Sequence, residues 1–334
     1  MNTVNIALVG LGYWGPNILR NLLICKNTNV KVICDINKNA LNKISLQYPK
    51  LKITTNYSEL LTDNSIDAII ISTPISSHYQ LAKEAILQNK NVLVEKPITT
   101  SSKEARELIG LAKKHNVIFM AGHTFVYTEA VKKIKSIIEK GELGNINYFD
   151  SIRINLGLFQ KDSNVIWDLA PHDLSIIGYL IDNKPISLQA ITSSYVRSGV
   201  AETAHIFINY EKNINAHIHV SWLSPVKLRT LLIGGSKKMI QFNDIETSEK
   251  VRIYDKGVKI NPSTITPFAP AYRSGEIVIP HIQQREAILN ELEHFANCIL
   301  KHKNPITDGV AGLRVVQLLE AAEKSLANNS IVKL

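Results

Sequence analysis

Three residues in this chain have the type and setting to move a proton. Lys96 stands in Val94-Glu95-Lys96-Pro97, directly after an apolar run. A lysine partly withdrawn from water can have its pKa lowered enough to exchange protons. The plainer reading is a surface lysine ahead of a turn proline. The Lys96-Pro97 bond is of the kind that can be cis. Asp168 and His172 are four apart in Trp167-Asp168-Leu169-Ala170-Pro171-His172-Asp173, a spacing that puts both side chains on one face of a helix. Imidazole titrates near working pH, so His172 can take a hydroxyl proton while a hydride leaves the same carbon. The competing reading makes Asp168 an N-cap and His172 a first-turn polar residue, because Pro171 is tolerated only where a helix is starting.

A second set follows. His123, Tyr148, Arg153 and Asn155 fall at the edge of, or just inside, the second half of the chain. Arg153 and Asn155 share a face of an expected strand, and Arg153 has the fork geometry to clamp a phosphate. Exposed polar residues would read the same way. His78 begins a helix and reads as structural. His217 and His219 alternate on a strand with no third ligand at metal spacing, so no metal site is expected.

These residues need a scaffold, and residues 4–35 supply its start. The apolar run Val4 to Val9 meets Gly10-Leu11-Gly12-Tyr13-Trp14-Gly15, a helical pattern with Ile18, Leu22 and Leu23 on one face follows, and a second apolar run, Val30 to Cys34, ends at Asp35. This is the strand, glycine loop, helix, strand unit that binds dinucleotides. Gly10 permits the tight turn, Gly12 lets the backbone approach a pyrophosphate, and Gly15 lets helix and strand pack closely. The pyrophosphate would rest on the free N–H groups of the helix start. Asp35 lies 20 residues after Gly15 (35 − 15), where its carboxylate can accept from ribose hydroxyls and repel a 2′-phosphate. NAD is therefore favoured over NADP, although Lys38 is near.

Strands and helices keep alternating to residue 122, with a buried strand Asp67 to Ser72, a helix His78 to Gln88, a strand Asn91 to Glu95, and a helix Ser101 to His115 opened by a capping box. Ser58 is a candidate cap for a short helix at Tyr57 to Leu61. The expected fold class is α/β, with a doubly wound parallel sheet over residues 1–122 whose strand ends carry Gly10, Asp35, Thr73, Glu95-Lys96-Pro97 and His123. Residues 123–334 read as a second α/β domain. It has a helix from Thr128 to Lys140, a strand from Ile146 to Asn155, a helix from Asp168 to Ile181, and then short runs between 187 and 260 that suggest a mainly antiparallel sheet. Residues 261–280 read as a loop, and helices are expected at 284–301 and 308–327.

The bulk numbers exclude several classes. With 334 residues, 45% hydrophobic and 20% charged, the chain reads as an ordinary soluble globular protein with room for two cores. Lys and Arg number 38 against 29 Asp and Glu, a net charge of +9. The basic residues are dispersed in pairs such as Lys113/Lys114, no nucleic-acid motif accompanies them, and the balance suits an anionic small substrate. Cys25, Cys34 and Cys298 have neither metal spacing nor a disulfide pattern. The first strand begins at Val4, which leaves no room for a signal peptide, and no run reaches transmembrane length, so neither a membrane nor a nucleic acid is an expected partner and a cytoplasmic place is expected.

Together the residues resemble a family, the Gfo/Idh/MocA oxidoreductases of the glucose–fructose oxidoreductase and inositol dehydrogenase group. The resemblance spans essentially the whole chain. It rests on Gly10 to Asn17, Ser72-Thr73-Pro74 with His78, Glu95-Lys96-Pro97, and Asp168 with His172. It implies a Rossmann domain followed by an α/β domain with a large open sheet facing the active site or a partner subunit. It also implies Lys96, Asp168 and His172 as the catalytic set, and a cofactor lining of Gly10, Gly12, Tyr13, Trp14, Gly15, Asp35, Thr73, Pro74, His78, Glu95, Lys96 and Trp167. Lys96, His123, Tyr148, Arg153, Asn155, Asp168 and His172 are expected on the substrate side. The runs GYWGPN, AGHTF and RINLGLFQKDSNVIWDLAPHD resemble the nucleotide-sugar subgroup that oxidises the C3 hydroxyl of UDP-N-acetylglucosamine or its uronate. Asn164-Val165-Ile166-Trp167 stands where the family commonly has a glycine-rich stretch, a departure from the pattern for simple inositol or glucose. The expected activity is thus NAD-dependent oxidation of a nucleotide-linked sugar. A free polyol or inositol dehydrogenase and a non-catalytic NAD-binding regulator are the alternatives. A homodimer or homotetramer built on the 187–260 region is expected, because a large open sheet face is a liability when bare.

Overall fold

The protein is described by a computed structural model covering residues 3–157, 159, 163–260 and 270–334. In chain order the elements are β1 (Val4–Val9), α1 (Gly15–Ile24), β2 (Thr28–Cys34), α2 (Lys38–Gln47), β3 (Lys52–Thr54), α3 (Tyr57–Thr62), β4 (Ala68–Ile71), α4 (His78–Leu87), β5 (Asn91–Glu95), α5 (Ser102–His115) and β6 (Phe119–Gly122). There follow α6 (Glu129–Glu139), β7 (Ile146–Leu156), α7 (Val165–Leu180), β8 (Pro185–Ser193), β9 (Thr203–Tyr210), β10 (Ile214–Ser221), β11 (Leu223–Gly235), β12 (Met239–Asn243), β13 (Val251–Ile260) and β14 (Pro270–Val278). The chain ends with α8 (Ala287–Lys301), α9 (Gly309–Asn328) and β15 (Val332–Lys333). Two units result: 1–128 with 285–320, and 129–284 with 321–334. Residues 285–320 thus cluster with the first unit, although in sequence they fall in the second half of the chain.

In the first unit a six-stranded parallel sheet runs in the order β3-β2-β1-β4-β5-β6. The chain winds outward from β1 to β3, returns to β4 on the other side of β1, and so creates a switch in strand order between β1 and β4, where such sheets bind ligands. Ile6, Leu8, Ile69, Ile70 and Leu93 are buried, as expected of strands covered on both faces. On α1 the core face is Ile18, Leu19 and Leu22, while Leu23 is 41% exposed. Leu23 lies one residue past Leu22 and is therefore turned about 100° away from it. The short α3 is capped by the Asn56 carboxamide, which accepts from Ser58 N, so Ser58 is the capped residue and not the cap. The Ser101 hydroxyl caps α5 as expected, accepting from Glu104 N at 3.2 Å.

The second unit holds a nine-stranded sheet among the described residues, ordered β14-β13-β12-β11-β7-β10-β9-β8-β15. Every pairing is antiparallel except β7 with β10. One face is covered by α7, against which Phe149, Ser151 and Arg153 of β7 are buried. Part of the expected 261–280 loop is strand: β14 pairs with β13, with Tyr254 opposite Ile277. Residues 261–269 lie outside the described residues. Composition marks Pro, Ser and Gly as breakers, but partner strands decide pairing. For the same reason the two-residue β15, which closes the sheet edge against Leu188 and Ser187, left no trace in the local pattern. The helix expected from Asp168 begins at Val165. Its N-cap is Asn164, whose Oδ1 accepts from Ile166 N and Trp167 N at 3.0 and 3.2 Å. Pro171 is therefore inside the helix and not in its opening turn, so the Trp167 carbonyl four residues earlier receives no N–H from it.

Candidate active site

The carboxyl ends of β1, β2 and β4 form a cradle. Gly10 has φ +96°, a left-handed value suited to glycine, and a methyl there would lie 2.6 Å from the Ser72 carbonyl oxygen. A methyl on Gly15 would collide with the Gly10 carbonyl, while Gly12 faces open space. The Ser72 hydroxyl donates to the Gly10 carbonyl at 2.8 Å and ties the loop to β4. Helix α1 starts without a side-chain cap, although α2, α5 and α7 are each capped. An uncapped helix start behind an open glycine fits a pyrophosphate. Tyr13 and Trp14 stand out of this loop, 76% and 38% exposed, with their rings edge to face at 5.7 Å. Asp35 braces the loop as well as facing the cradle: its Oδ2 accepts from Leu11 N at 2.5 Å and its Oδ1 from Asn37 N at 2.7 Å. A carboxylate has about four acceptor positions, so room for ribose hydroxyls remains.

Farther along the same edge, the Lys96-Pro97 bond is cis. The buried His78 ring bridges two strand-end loops, with Nδ1 2.8 Å from the Pro97 carbonyl oxygen and Nε2 2.8 Å from that of Thr73. Burial holds its pKa below the usual histidine value. Thr73 itself is pinned to Ser77 through their hydroxyls at 2.7 Å, and Pro74 is exposed beside it. His123 follows β6 and is 1% exposed; burial, with the Lys96 charge adding, presses its pKa down to about 3. Burial pushes the Glu95 carboxyl up to about 7, against the pull of Lys96. Buried Glu291 on α8 accepts from the Thr124 hydroxyl at 2.7 Å. Its position, 167 residues from Thr124, gave the sequence reading no signal.

In the second unit, Asp168 occupies the first turn of α7 and His172 sits one turn on, half-buried. Trp222, between β10 and β11, donates from its indole Nε1 to Asp168 Oδ2 at 3.0 Å. Trp167 donates its own indole N–H to Glu323 at 3.1 Å, and Asn164 donates to the same carboxylate at 2.7 Å. Glu202 accepts from the backbone N–H of Tyr195, Val196 and Arg197, and so fixes a loop whose Arg197 guanidinium lies 5.7 Å over the Trp222 ring. Trp222, Glu202 and Glu323 were absent from the sequence reading. Arg153 is 3% exposed, and its Nε donates to Asp173 Oδ2 at 2.7 Å. Asn155 is two residues farther along β7, and Tyr148 projects from the opposite face of that strand, with its ring against Gly234. Among the described residues no group of three or more His, Cys, Asp and Glu is arranged to hold a metal ion.

The comparisons with known proteins follow this division. Residues 4–123 match the family model described as oxidoreductase family, NAD-binding Rossmann fold, and residues 131–241 match the GFO/IDH/MocA C-terminal domain. The chain is 26% identical over 347 residues to the scyllo-inositol 2-dehydrogenase (NAD(+)) of Bacillus subtilis, covering 99% of this chain and 96% of that one. It is 26% identical over 254 residues to the UDP-N-acetylglucosamine 3-dehydrogenase of Acidithiobacillus ferrooxidans, covering 75% of this chain and 76% of that one. A solved structure of the latter superposes with a TM-score of 0.80 at 22% identity over 97% of this chain and 98% of that one. An Agrobacterium radiobacter oxidoreductase in complex with NAD+, L-tartaric acid and magnesium superposes with a TM-score of 0.83 at 19% identity over 99% and 98%. With both family models matched in order over residues 4–123 and 131–241, the chain belongs to the Gfo/Idh/MocA family of NAD-binding oxidoreductases.

Proposed function

We propose that this chain is a dehydrogenase that oxidises the C3 hydroxyl of a nucleotide-linked sugar, of the UDP-N-acetylglucosamine kind, to a 3-keto sugar. The reading is supported chiefly by the likeness to a named UDP-N-acetylglucosamine 3-dehydrogenase in both sequence and fold. The net charge of +9 suits a diphosphate-bearing substrate. The Gly10–Gly15 loop, the start of α1 and Asp35 hold NAD, and Tyr13, Trp14, Thr73 and Pro74 line it. When bound, NAD supplies the carbon that accepts a hydride. His172 takes the hydroxyl proton as the hydride leaves the sugar carbon, so an O–H and a C–H bond break, a C=O bond forms, and two electrons depart with the hydride. Lys96 donates a hydrogen bond to the same oxygen and polarises the ketone in the reverse direction. Asp168, held by Trp222, orients and charge-balances the imidazole. Lys96 and His172 can exchange these parts without altering the balance.

The test is reduced-nicotinamide absorbance with NAD and panels of nucleotide sugars, free sugars and inositols. Turnover of UDP-N-acetylglucosamine or a close analogue is expected. His172→Ala and Lys96→Ala should each lower kcat by roughly two to four orders of magnitude. Turnover of inositols alone would install a second reading, an inositol or polyol dehydrogenase, which the match to scyllo-inositol 2-dehydrogenase over 99% of this chain favours. NAD binding without turnover of any panel member would mean a regulator.

We also propose that the protein self-associates as a homodimer or homotetramer through the outer face of the nine-stranded sheet, where Phe207, Leu228 and Leu232 are exposed. Light scattering at micromolar concentration checks this, and a monomer overturns it. The three cysteines are unpaired and buried, in keeping with a reducing cytoplasm.

A further inference from the structure

Arg153 is buried with its guanidinium on Asp173. A second arginine of the same unit, Arg197, stands in a different setting. It belongs to the loop between β8 and β9, and that loop is built around one buried carboxylate. Glu202 accepts from Tyr195 N and Val196 N through Oε2 at 2.7 and 2.8 Å, and from Arg197 N through Oε1 at 2.8 Å. Its own N–H donates to the Ser193 carbonyl at 3.1 Å and closes the base of the loop, while the Trp222 N–H donates to the Glu202 carbonyl at 2.9 Å. The tip turns at Gly199, where φ is +77°, and Val200 N donates to the Arg197 carbonyl at 3.1 Å. The backbone that carries Arg197 is thus fixed before a ligand arrives, which lowers the ordering cost of binding one.

The side chain lies on aromatic carbon. Arg197 Cζ is 5.7 Å from the centre of the Trp222 ring and 5.3 Å from that of Phe159, and the two rings are 5.5 Å apart. Stacking uses the faces of a guanidinium. Its N–H groups donate in its plane, in the fork that matches a phosphate or carboxylate. Arg197 is half-buried although Val196 and Ser198 on either side are exposed, and partial withdrawal from water strengthens a charged contact. The same indole that carries Arg197 on its ring donates from Nε1 to Asp168 Oδ2 at 3.0 Å. One side chain therefore spaces a cation from the acid of α7, at a separation on the scale of a single sugar ring.

We propose that Arg197 receives the anionic group of the substrate: its guanidinium, mounted on Trp222, binds the oxyanion of a phosphate or carboxylate carried by a sugar whose reacting hydroxyl lies toward Asp168 and His172. The role of Arg197 rests on the site at Asp168 and His172 proposed above, and not on which sugar is oxidised there.

Calorimetric titration of the full-length protein with NAD bound tests this with UDP-N-acetylglucosamine, N-acetylglucosamine 1-phosphate, glucuronate and the neutral N-acetylglucosamine. The wild type should bind an anionic probe more tightly than the neutral sugar. Arg197→Met keeps an apolar stem on the rings and removes the fork. It should weaken the anionic probe roughly ten- to a hundredfold, the scale of hydrogen bonds to a charged group, and leave the neutral sugar unaltered. Loss for the sugar phosphates assigns a phosphate to Arg197, and loss for glucuronate alone assigns a carboxylate. Arg197→Lys keeps the charge without the fork and should recover part of the affinity. A role confined to supporting Trp222 gives another pattern: Arg197→Met then lowers kcat with KM unchanged, or weakens charged and neutral probes alike. Either result overturns the proposal, as does a wild type with no preference for an anion. If Arg197→Met fails to fold, the ratio of anionic to neutral affinity in Arg197→Lys carries the test, and an unchanged ratio overturns the proposal. Turnover of the same probes, read by reduced-nicotinamide absorbance, separates the two readings. Preference for an anion through Arg197 without oxidation of any nucleotide sugar keeps the role of Arg197 and removes the activity proposed above. Oxidation of UDP-N-acetylglucosamine with unaltered KM in Arg197→Met does the reverse.

Discussion

The indole N–H of Trp222 donates to Asp168 Oδ2 at 3.0 Å, joining the end of a sheet strand to the first turn of α7 across 54 residues of sequence. Trp222 is 1% exposed, so its ring cannot turn away to water. Asp168 is therefore oriented from outside its own helix. Trp222→Phe keeps most of the buried ring and deletes the donor. Turnover should fall by roughly ten- to a hundredfold, the scale of a hydrogen bond to a carboxylate, with NAD affinity retained. Steady-state kinetics beside NAD titration check this, and unchanged kcat would show that Asp168 needs no such support.

Asp35 carries two tasks, and its substitution should reveal both. Asp35→Ala removes the like-charge penalty on a 2′-phosphate, so the preference for NAD over NADP should narrow. It also releases Leu11 N and Asn37 N, so affinity for both nucleotides should drop. Asp35→Asn retains an acceptor and should lose less affinity while still narrowing the gap. Calorimetric titration of the two nucleotides measures each effect, and a wild type that binds NADP more tightly would refute this account of Asp35.

Arg153 and Asp173 form a buried ion pair, 4% and 5% exposed at their side chains, with the Ser151 hydroxyl donating to the same carboxylate at 2.9 Å. Removing one partner leaves the other charge buried alone. Arg153→Met and Asp173→Asn should each cost about 3–5 kcal/mol, whereas Arg153→Met combined with Asp173→Leu should recover much of the loss. Urea unfolding of the four proteins gives the comparison. A raised KM for the sugar substrate in a stable double variant would show that Arg153 also serves the substrate.

Three histidines stack on the open sheet face. The rings of His205 and His219 lie 4.2 Å apart and nearly parallel, His205 Nδ1 is 3.1 Å from His217 Nε2, and His217 Nδ1 is 2.9 Å from Asp150 Oδ1. Burial first, then the neighbouring imidazoles, lower the pKa of His205 and His219 below 6.5, while Asp150 pulls His219 the other way. A histidine whose folded pKa is depressed binds fewer protons folded than unfolded. Its stabilising effect is therefore complete above about 6.5 and is lost as pH falls toward the folded value. Thermal melts should show stability declining on acidification through that window, and His205→Asn with His219→Asn should flatten the decline. Equal slopes in wild type and variant would exclude the stack.

The sequence by itself determined whatever depends on near neighbours. Apolar runs closed by Gly10, Thr73 and Pro97 mark parallel strands, because a strand covered on both faces must be apolar throughout. Gly10, Gly12 and Gly15 mark the cradle, because their spacing is set by one turn and one helix start. Asp168 and His172 share a face through helical geometry alone. The tertiary structure decided what depends on residues far apart. Asn164 and not Asp168 caps α7, β14 is strand and not loop, and Trp222 aims Asp168. Glu323 holds Asn164 and Trp167, and the histidine stack needs His205 from β9 beside His217 and His219 from β10. Glu291 reaches Thr124 only because α8 returns to the first unit. None of these leaves a periodic mark. Periodicity records which face of an element is buried, whereas the partner of a buried polar atom is set by whichever strand or helix packs there, often more than a hundred residues away along the chain.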